Sequence, residues 1–247
     1  MPARTADLAE FRCLGVDERR SSQPLISAIA VTKTHRQAGR PVYALRDLSL
    51  SVPAGSLTAV VGPSGSGKTT LLNILGALDA PTAGAVVCGG IDVSGACESD
   101  RAHFRARHIG FVFQSFNLLN GLTASQNVEL ACAITGTARR RRATEVHRLL
   151  ALVGLTAHAK APVAELSAGQ AQRVAIARAL AGDPRLILAD EPTGSLDHEN
   201  AREIFRILRA QTTPGRAVVV ATHDHELAAR CADQVVRLLD GCVATTE

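Results

Sequence analysis

The sequence predicts an α/β fold built on a mixed, mostly parallel sheet, and two observations carry that prediction. Four short apolar runs have the composition of buried strands and are separated by helical stretches; they cover residues 57–61, 186–189, 217–221 and 235–239. The first run leads at once into a glycine-rich turn and a helical stretch over 68–78. Strands that alternate with helices are typical of a parallel sheet covered by helices.

The chain before this sheet has a different character. Residues 1–26 combine charged and small residues without apolar periodicity, so we expect a poorly structured extension followed by one folded domain over 27–247. The runs 26–31 and 48–52 are apolar and flanked by turn residues, which favours an antiparallel β layer. Between 115 and 168 the apolar spacing is helical, for example over 144–153, which predicts an inserted, mainly helical lobe.

Composition excludes several kinds of protein. The 247 residues include no Trp and one Tyr, and the net charge is +4, so neither stacking surfaces nor a basic stripe for nucleic acid is expected. Six cysteines without a CxxC spacing favour reduced thiols and a cytosolic compartment. The first 26 residues lack the apolar core of a signal peptide, and no stretch of about 20 residues avoids charge, so no transmembrane helix is expected.

The glycine-rich turn after the first strand carries a phosphate-binding pattern, GxxxxGK[ST]. It consists of Gly62, Pro63, Ser64, Gly65, Ser66, Gly67, Lys68 and Thr69, and the predicted nucleotide site also includes Thr70. Its glycines allow backbone N–H groups to face phosphates at a helix N-terminus, where the helix dipole adds positive potential. Lys68 would contact the β- and γ-phosphates, and the Thr69 hydroxyl would bind Mg²⁺. The flanking strand and helix make a chance match improbable.

Two acids end the strand at 186–189. Asp190 is expected in the Mg²⁺ shell, and Glu191 is expected to orient and deprotonate a water for in-line attack on the γ-phosphorus. Without the phosphate loop, two solvated acids at a strand end would be the simpler interpretation.

Four further motifs follow in a fixed order at 111–114, 166–170, 194–197 and 221–224. In this order they resemble the Q-loop, signature, D-loop and switch histidine of ABC transporter nucleotide-binding subunits, over nearly the whole chain from about residue 26. The resemblance implies that Gln114 contacts Mg²⁺ and the attacking water, and that His223 hydrogen-bonds the γ-phosphate. It also implies a nucleotide-contacting set on the second subunit, here Ser167, Ala168, Gly169, Gln170 and Asp197.

Two positions depart from the family pattern. Ala168 stands where relatives most often have glycine, and because Gly169 is kept we expect activity to be retained. His35 stands where relatives usually have a tyrosine that stacks on adenine, and imidazole offers a smaller stacking face. Tyr43 is the only tyrosine, so the adenine contact is left open between His35 and another residue.

The resemblance also implies partners. Two ATP molecules would be sandwiched in a dimer, either a homodimer or a heterodimer with a second ATPase subunit, at the cytoplasmic face of the plasma membrane. The ATPase would drive a separate transmembrane permease, and residues 113–119 and 189–194 are similar to the lipoprotein-releasing, macrolide-exporting and antimicrobial-peptide-resistance subfamily. The alternative is a soluble ABC ATPase that acts on nucleic acid or the ribosome. The roughly fifty residues between Gln114 and Ser167 are too few for the coiled coils of chromosome-type members.

Overall fold

The computed structural model describes residues 24–37 and 40–246. The described residues form ten strands: β1 Ile26–Gln37, β2 Arg40–Val52, β3 Leu57–Val61, β4 Ala83–Cys88, β5 Ile91–Asp92, β6 Ile109–Val112, β7 Leu186–Asp190, β8 Ala217–Thr222, β9 Gln234–Leu239 and β10 Cys242–Thr246. They also form seven α-helices: α1 Lys68–Leu75, α2 Glu98–His108, α3 Ala124–Ile134, α4 Arg139–Leu152, α5 Ala168–Ala179, α6 His198–Arg209 and α7 His225–Cys231. Two 3₁₀ turns lie at Thr156–His158 and Val163–Glu165.

A six-stranded sheet occupies the centre, in the order β10-β9-β3-β8-β7-β6. All of its pairings are parallel except β10 with β9, so the prediction of a mixed, mostly parallel sheet is confirmed. Alternate residues of β7 enter two separate apolar cores: Ile187 and Ala189 join one, and Leu186 and Leu188 join the other. Both faces of the sheet are therefore buried, which explains the uninterrupted apolar runs.

A second, four-stranded antiparallel sheet has the order β2-β1-β4-β5, as the apolar runs at 26–31 and 48–52 predicted. The predicted boundary of the extension is wrong at its end, because Leu25 and Ile26 are buried and Ile26 pairs with Val52 and Cys88. These two apolar side chains gain more from the core than from solvent. The rest of the predicted extension, residues 1–23, lies outside the described residues.

The chain between β6 and α5 carries α3, α4 and the two 3₁₀ turns. The stretch with helical spacing at 144–153 falls largely within α4, whose Val146, Leu149 and Leu150 are buried in the same core as α5. The division of the chain into a core and an inserted lobe at 115–168 stays a prediction. No helix among the described residues combines the length and the apolar character needed to cross a membrane.

The helix that follows the glycine-rich turn is shorter than predicted. The sequence indicated 68–78, but α1 ends at Leu75. A methyl group on the next residue, Gly76, would lie 2.0 Å from the ring of Phe111. The chain turns at this close approach, and Ala77 adopts a left-handed conformation with φ of 55°.

Candidate functional site

The order of the strands collects the predicted site residues at one edge of the central sheet. Lys68 begins the helix after β3, His223 follows β8, Glu191 follows β7, and Gln114 lies two residues after β6. Because β3, β8, β7 and β6 are consecutive neighbours and run parallel, these segments all leave the same edge. Four residues far apart in sequence thus line one crevice, as ligand sites do in open α/β sheets.

The turn between β3 and α1 depends on its glycines. Gly67 has φ of 103°, and a methyl group there would lie 2.5 Å from the Ala44 carbonyl oxygen. A methyl group on Gly62 would lie 2.3 Å from the Leu238 carbonyl oxygen. The turn therefore packs closely against β2 and β9, and this packing fixes the path of its backbone at the N-terminus of α1.

The Lys68 side chain is only 7% exposed and is folded back into this turn. Its Nζ donates hydrogen bonds to the carbonyl oxygens of Gly62 at 2.8 Å and Pro63 at 3.2 Å. Glu191 Oε1 lies 3.6 Å from the same nitrogen. The ammonium group is held at the centre of the crevice by partners that an incoming phosphate oxygen can replace.

Asp190 is the buried acid of the pair. Burial raises the pKa of its carboxyl, as does the charge of Glu191 to a lesser degree, while the Thr69 hydroxyl and Lys68 partly oppose the shift. Its Oδ1 is buried and has no hydrogen-bond partner in the described part of the chain. An unpartnered carboxylate oxygen beside a threonine hydroxyl is suited to a hard cation such as Mg²⁺.

Glu191 has a strained backbone and a tightly held side chain. Its φ is 46°, in the left-handed region that non-glycine residues seldom adopt, and its N–H donates to the Ala221 carbonyl at 2.9 Å. Its Oε2 accepts a hydrogen bond from His223 Nδ1 at 2.8 Å and one from the His223 backbone N–H at 3.3 Å. The two loops after β7 and β8 are thereby joined at the predicted base.

Gln114 is exposed and reaches the same loop. A methyl group on Gly194 would lie 3.1 Å from Gln114 Nε2, and Gly194 N donates to the Glu191 carbonyl at 3.1 Å. The structure therefore brings Gln114 next to the turn that carries Glu191.

The signature residues form a separate part of the site at the start of α5. Ser167 is the N-cap: its Oγ accepts from Gln170 N at 3.2 Å, and Gln170 Oε1 accepts from Ser167 N at 2.9 Å. This capping box starts the helix at Ala168. Ser167 and Ala168 are exposed, whereas Gly169 is buried.

Asp197 caps the neighbouring helix α6. Its Oδ1 accepts from Asn200 N at 2.8 Å and its Oδ2 accepts from Asn200 Nδ2 at 2.7 Å. These two donors lower the pKa of Asp197. Sequence reasoning missed Asn200, because a polar residue in the first turn of an exposed helix carries no signal of its own.

Sequence reasoning also missed His158. Gln170 Nε2 donates to His158 Nε2 at 3.1 Å, since the Gln170 oxygen is already engaged with Ser167. The two residues are separated by a 3₁₀ turn and a loop, so no local spacing links them in the sequence.

The predicted adenine contact lies apart, on the antiparallel layer. His35 is exposed on β1 opposite Val42, and Tyr43 is 48% exposed on β2 opposite Thr34. Arg46 covers one face of the Tyr43 ring, with its Cζ 5.1 Å from the ring centre. The two aromatic side chains lie on adjacent strands, one residue pair apart.

The structure does not join all predicted residues into one cluster. No hydrogen bond or ion pair within residues 24–37 and 40–246 connects the signature residues 167–170 to the phosphate loop 62–69. The site thus has two parts, a phosphate-loop half and a signature half.

Comparison with protein families gives one match, the description "ABC transporter", over residues 45–194. Among curated proteins, the "Macrolide export ATP-binding/permease protein MacB" of Rhodospirillum rubrum is 46% identical over 220 residues, which are 89% of this chain and 34% of that protein. The protein of the same name from Salmonella choleraesuis is 43% identical over 217 residues, 88% of this chain and 33% of that protein. The chain therefore spans about a third of the length of these relatives.

Among solved structures, the "ATP-binding cassette MJ0796 bound to ADP and Pi", in a dimeric post-hydrolysis state, superposes with a TM-score of 0.83 at 39% identity. That match covers 90% of this chain and 97% of the other. A second dimeric structure of the same cassette gives a TM-score of 0.83 at 40% identity, with the same coverage.

Proposed function

This chain belongs to the ABC transporter family and is an ATPase cassette of that family, and from this premise we propose how it uses ATP. In the proposal, two cassettes close around two ATP molecules and hydrolyse them to drive a membrane permease. The observation that carries the proposal is the contact of Glu191 with both Lys68, at 3.6 Å, and His223, at 2.8 Å, at the ends of adjacent strands. A base, a phosphate-binding cation and a hydrogen-bonding ring meet where the γ-phosphate would lie.

The phosphate loop binds the nucleotide phosphates. Backbone N–H groups of the loop that follows Pro63, at the N-terminus of α1, face the phosphate oxygens, and Lys68 exchanges its carbonyl partners for the β- and γ-phosphates. Since Lys68 is buried, its charge is poorly screened by water and acts strongly on the phosphates.

The residues beside the loop fit a Mg²⁺ ion. Among the described residues Asp190 Oδ1 has no hydrogen-bond partner, the Thr69 hydroxyl is close by, and the Gln114 amide lies near the adjacent turn. All three are neutral or anionic oxygen donors, which Mg²⁺ prefers, and few protein ligands are needed where phosphates complete the shell. When bound, the ion would neutralise charge on the β- and γ-phosphates during hydrolysis.

Glu191 is the proposed general base. Its carboxylate accepts a proton from a water as the water oxygen attacks the γ-phosphorus, and the bond to the bridging oxygen breaks to release ADP. His223 orients this carboxylate through Nδ1 and its backbone N–H. The left-handed backbone of Glu191 aims the side chain back into the crevice, and the sheet holds this strain.

The signature half serves the ATP that the other subunit binds. Ser167, Ala168, Gly169 and Gln170 offer the hydroxyl and backbone N–H groups of a helix N-terminus, which favour an anion. Their lack of bonds to the chain's own phosphate loop, within the part described, and the dimeric state of the similar cassette both support a head-to-tail dimer. The second subunit can be another copy or a related ATPase, with Asp197 at the same interface.

The adenine is proposed to stack on His35, at the exposed edge of β1. Tyr43, on the neighbouring strand and already covered by Arg46 on one face, is the alternative platform.

A transmembrane permease is the proposed partner. The curated relatives are named as combined ATP-binding and permease proteins, and this chain matches about a third of their length. We place the chain at the cytoplasmic face of the plasma membrane, bound through the permease, in a system for export, lipoprotein release or peptide resistance.

Replacement of Glu191 by Gln tests the mechanism. Because the amide cannot accept a proton, we expect steady-state ATP hydrolysis to fall by about 100-fold or more, while ATP-dependent dimerisation persists. Phosphate release and size-exclusion chromatography with ATP measure the two properties. Glu129→Gln, on the exposed face of α3, is the matched control and should hydrolyse ATP normally. Normal turnover in Glu191→Gln would disprove the assigned base.

A further inference from the structure

Asn200 lies between the signature helix α5 and the D-loop residue Asp197. Gly169, in the first turn of α5, is buried against it: a methyl group on Gly169 would lie 2.6 Å from Asn200 Oδ1 and 3.0 Å from its Cγ. The space beside Gly169 is therefore filled by a side chain of the same subunit. The glycine is required here by packing within the chain, apart from any contact with a phosphate.

Asn200 cannot move aside freely. Its Nδ2 donates to Asp197 Oδ2 at 2.7 Å, and its backbone N–H donates to Asp197 Oδ1 at 2.8 Å. A shift of the Asn200 amide breaks a hydrogen bond to a charged group, which is stronger than one between neutral groups. Asp197, Asn200 and Gly169 thus form a chain of direct contacts from the D-loop to the signature.

The side chain of Asn200 is not needed to cap α6. The capping bond runs from the Asn200 backbone N–H to Asp197 Oδ1 and survives any side-chain replacement. The side-chain amide forms a second, separate bond to the same carboxylate and is the group that touches Gly169. Because Asp197 already caps the helix through the backbone N–H, the side-chain hydrogen bond of Asn200 has a role other than helix formation.

We propose that Asn200 is a positioning residue that couples the D-loop to the signature loop of the same subunit. A displacement of Asp197 pulls the Asn200 amide, and the amide sets where Gly169 and the N–H groups around it lie. The inference rests on the proposed ATP-dependent dimer, in which the D-loop and the signature loop both face the other subunit. Its effect is on closure of the dimer, with nucleotide binding to the separate subunit left unchanged.

Two substitutions separate positioning from structure. In the Glu191→Gln background, Asn200→Ala should weaken the ATP-dependent dimer about tenfold, since one hydrogen bond to a charged group is lost. Asn200→Asp has the same shape and suits the first turn of a helix, but it cannot donate to Asp197 and repels it, so the dimer should weaken further. A purely structural role predicts that both variants lower the melting temperature together with the affinity of the dimer.

The readouts are the dimer dissociation constant from analytical ultracentrifugation, the ATP affinity of the monomer and the melting temperature. We expect the dimer dissociation constant to rise, and the ATP affinity and the melting temperature to stay close to those of the Glu191→Gln parent. In chains that keep Glu191, the matching expectation is a lower kcat with the KM for ATP little changed. Equal dimer affinity in the parent and both variants would overturn the proposal.

A double-mutant cycle tests the contact with Gly169. Gly169→Ala should weaken the dimer strongly when Asn200 is present and less when Asn200 is Ala, because the added methyl then meets only the Cβ at position 200, at an ordinary contact distance of 3.6 Å. The control is Gly95→Ala, where a methyl group meets nothing within 4 Å. An identical loss in both backgrounds would show that Gly169 is needed only for the phosphate and would overturn the coupling.

The Glu191→Gln variant, tested alone, distinguishes a failure of this inference from a failure of the proposed function. If Glu191→Gln does not dimerise with ATP, the proposed dimer and the coupling fail together. If it dimerises and the Asn200 variants match it, only the coupling fails.

Discussion

The phosphate-loop half and the signature half of the site are built in different ways. The first is set by four neighbouring parallel strands, and its charged side chains are largely buried, with Lys68 7% and Glu191 15% exposed. The second is one exposed helix N-terminus whose Ser167 and Gln170 satisfy each other. The sheet fixes the first half in place, whereas the second depends on local capping and on its contacts with neighbouring loops.

The two halves also differ in charge. Lys68, Asp190 and Glu191 all belong to the phosphate-loop half, while residues 167–170 include no charged side chain. In the proposed mechanism, bond breaking and Mg²⁺ binding therefore belong to the first half, and residues 167–170 contribute only dipoles and hydrogen bonds. Substitutions in the first half should consequently have the larger effects.

The largest effect on nucleotide affinity is expected for Lys68→Ala. It removes the buried cation that faces the phosphates, so nucleotide affinity should fall by about 10- to 100-fold, the value of one or two charge-assisted hydrogen bonds. Titration with a fluorescent ATP analogue measures the affinity. Lys160→Ala, an exposed lysine outside the site, is the control. Unchanged affinity in Lys68→Ala would contradict the assignment of the phosphate loop.

Asp190→Asn should separate stability from activity. Burial raises the pKa of Asp190, so the folded chain binds its proton more tightly than the unfolded chain and the ionised form costs stability. The native chain should gain stability from this residue as the pH falls through the raised pKa, whereas Asn carries no charge at any pH. We expect Asp190→Asn to melt at a higher temperature at neutral pH and to lose Mg²⁺-dependent hydrolysis.

Melting curves from neutral to acidic pH test whether Asp190 lowers stability at neutral pH, as expected. Asp233 supplies the opposite case, because its ion pair with Arg209 lowers its pKa and its carboxylate also accepts from Leu57 N. Asp233→Asn should therefore melt at a lower temperature at neutral pH, with a difference that shrinks in acid. A lower melting temperature for Asp190→Asn at neutral pH would contradict our account of its burial.

The same contrast between halves explains what the sequence could predict. The four strands of the central sheet and the loop after β3 have strong local signals, namely continuous apolar runs and a phosphate-binding pattern. By contrast, α2 has a single buried residue, Phe104, and β6 has only four residues, so neither element shows a recognisable periodicity of apolar residues in the sequence. The acids at the start of α2 and the basic residues at its end were the available signal.

Other features depend on contacts between distant segments. The left-handed backbone of Glu191 is imposed by the loops after β7 and β8, and no local pattern encodes it. The contact of Gly169 with Asn200 requires α5 and α6 to pack together. The start of α5 could be predicted, however, because Ser167 followed three residues later by Gln170 is a capping-box pattern.

The smallest effect is expected for Ala168→Gly, in the signature half. Ala168 is the first residue of α5 and is exposed, so its methyl group lies outside the core and meets the nucleotide only when the dimer closes. Glycine costs little at an exposed helix start, and removal of the methyl relieves crowding, so steady-state ATP turnover should be equal to or up to about twofold faster than in the native chain. Ala164→Gly, also exposed but before the N-cap, controls for backbone flexibility. A large loss of turnover in Ala168→Gly alone would mean that the first turn of α5 depends on this methyl group, and that local capping by Ser167 and Gln170 is too weak to hold the signature half in place.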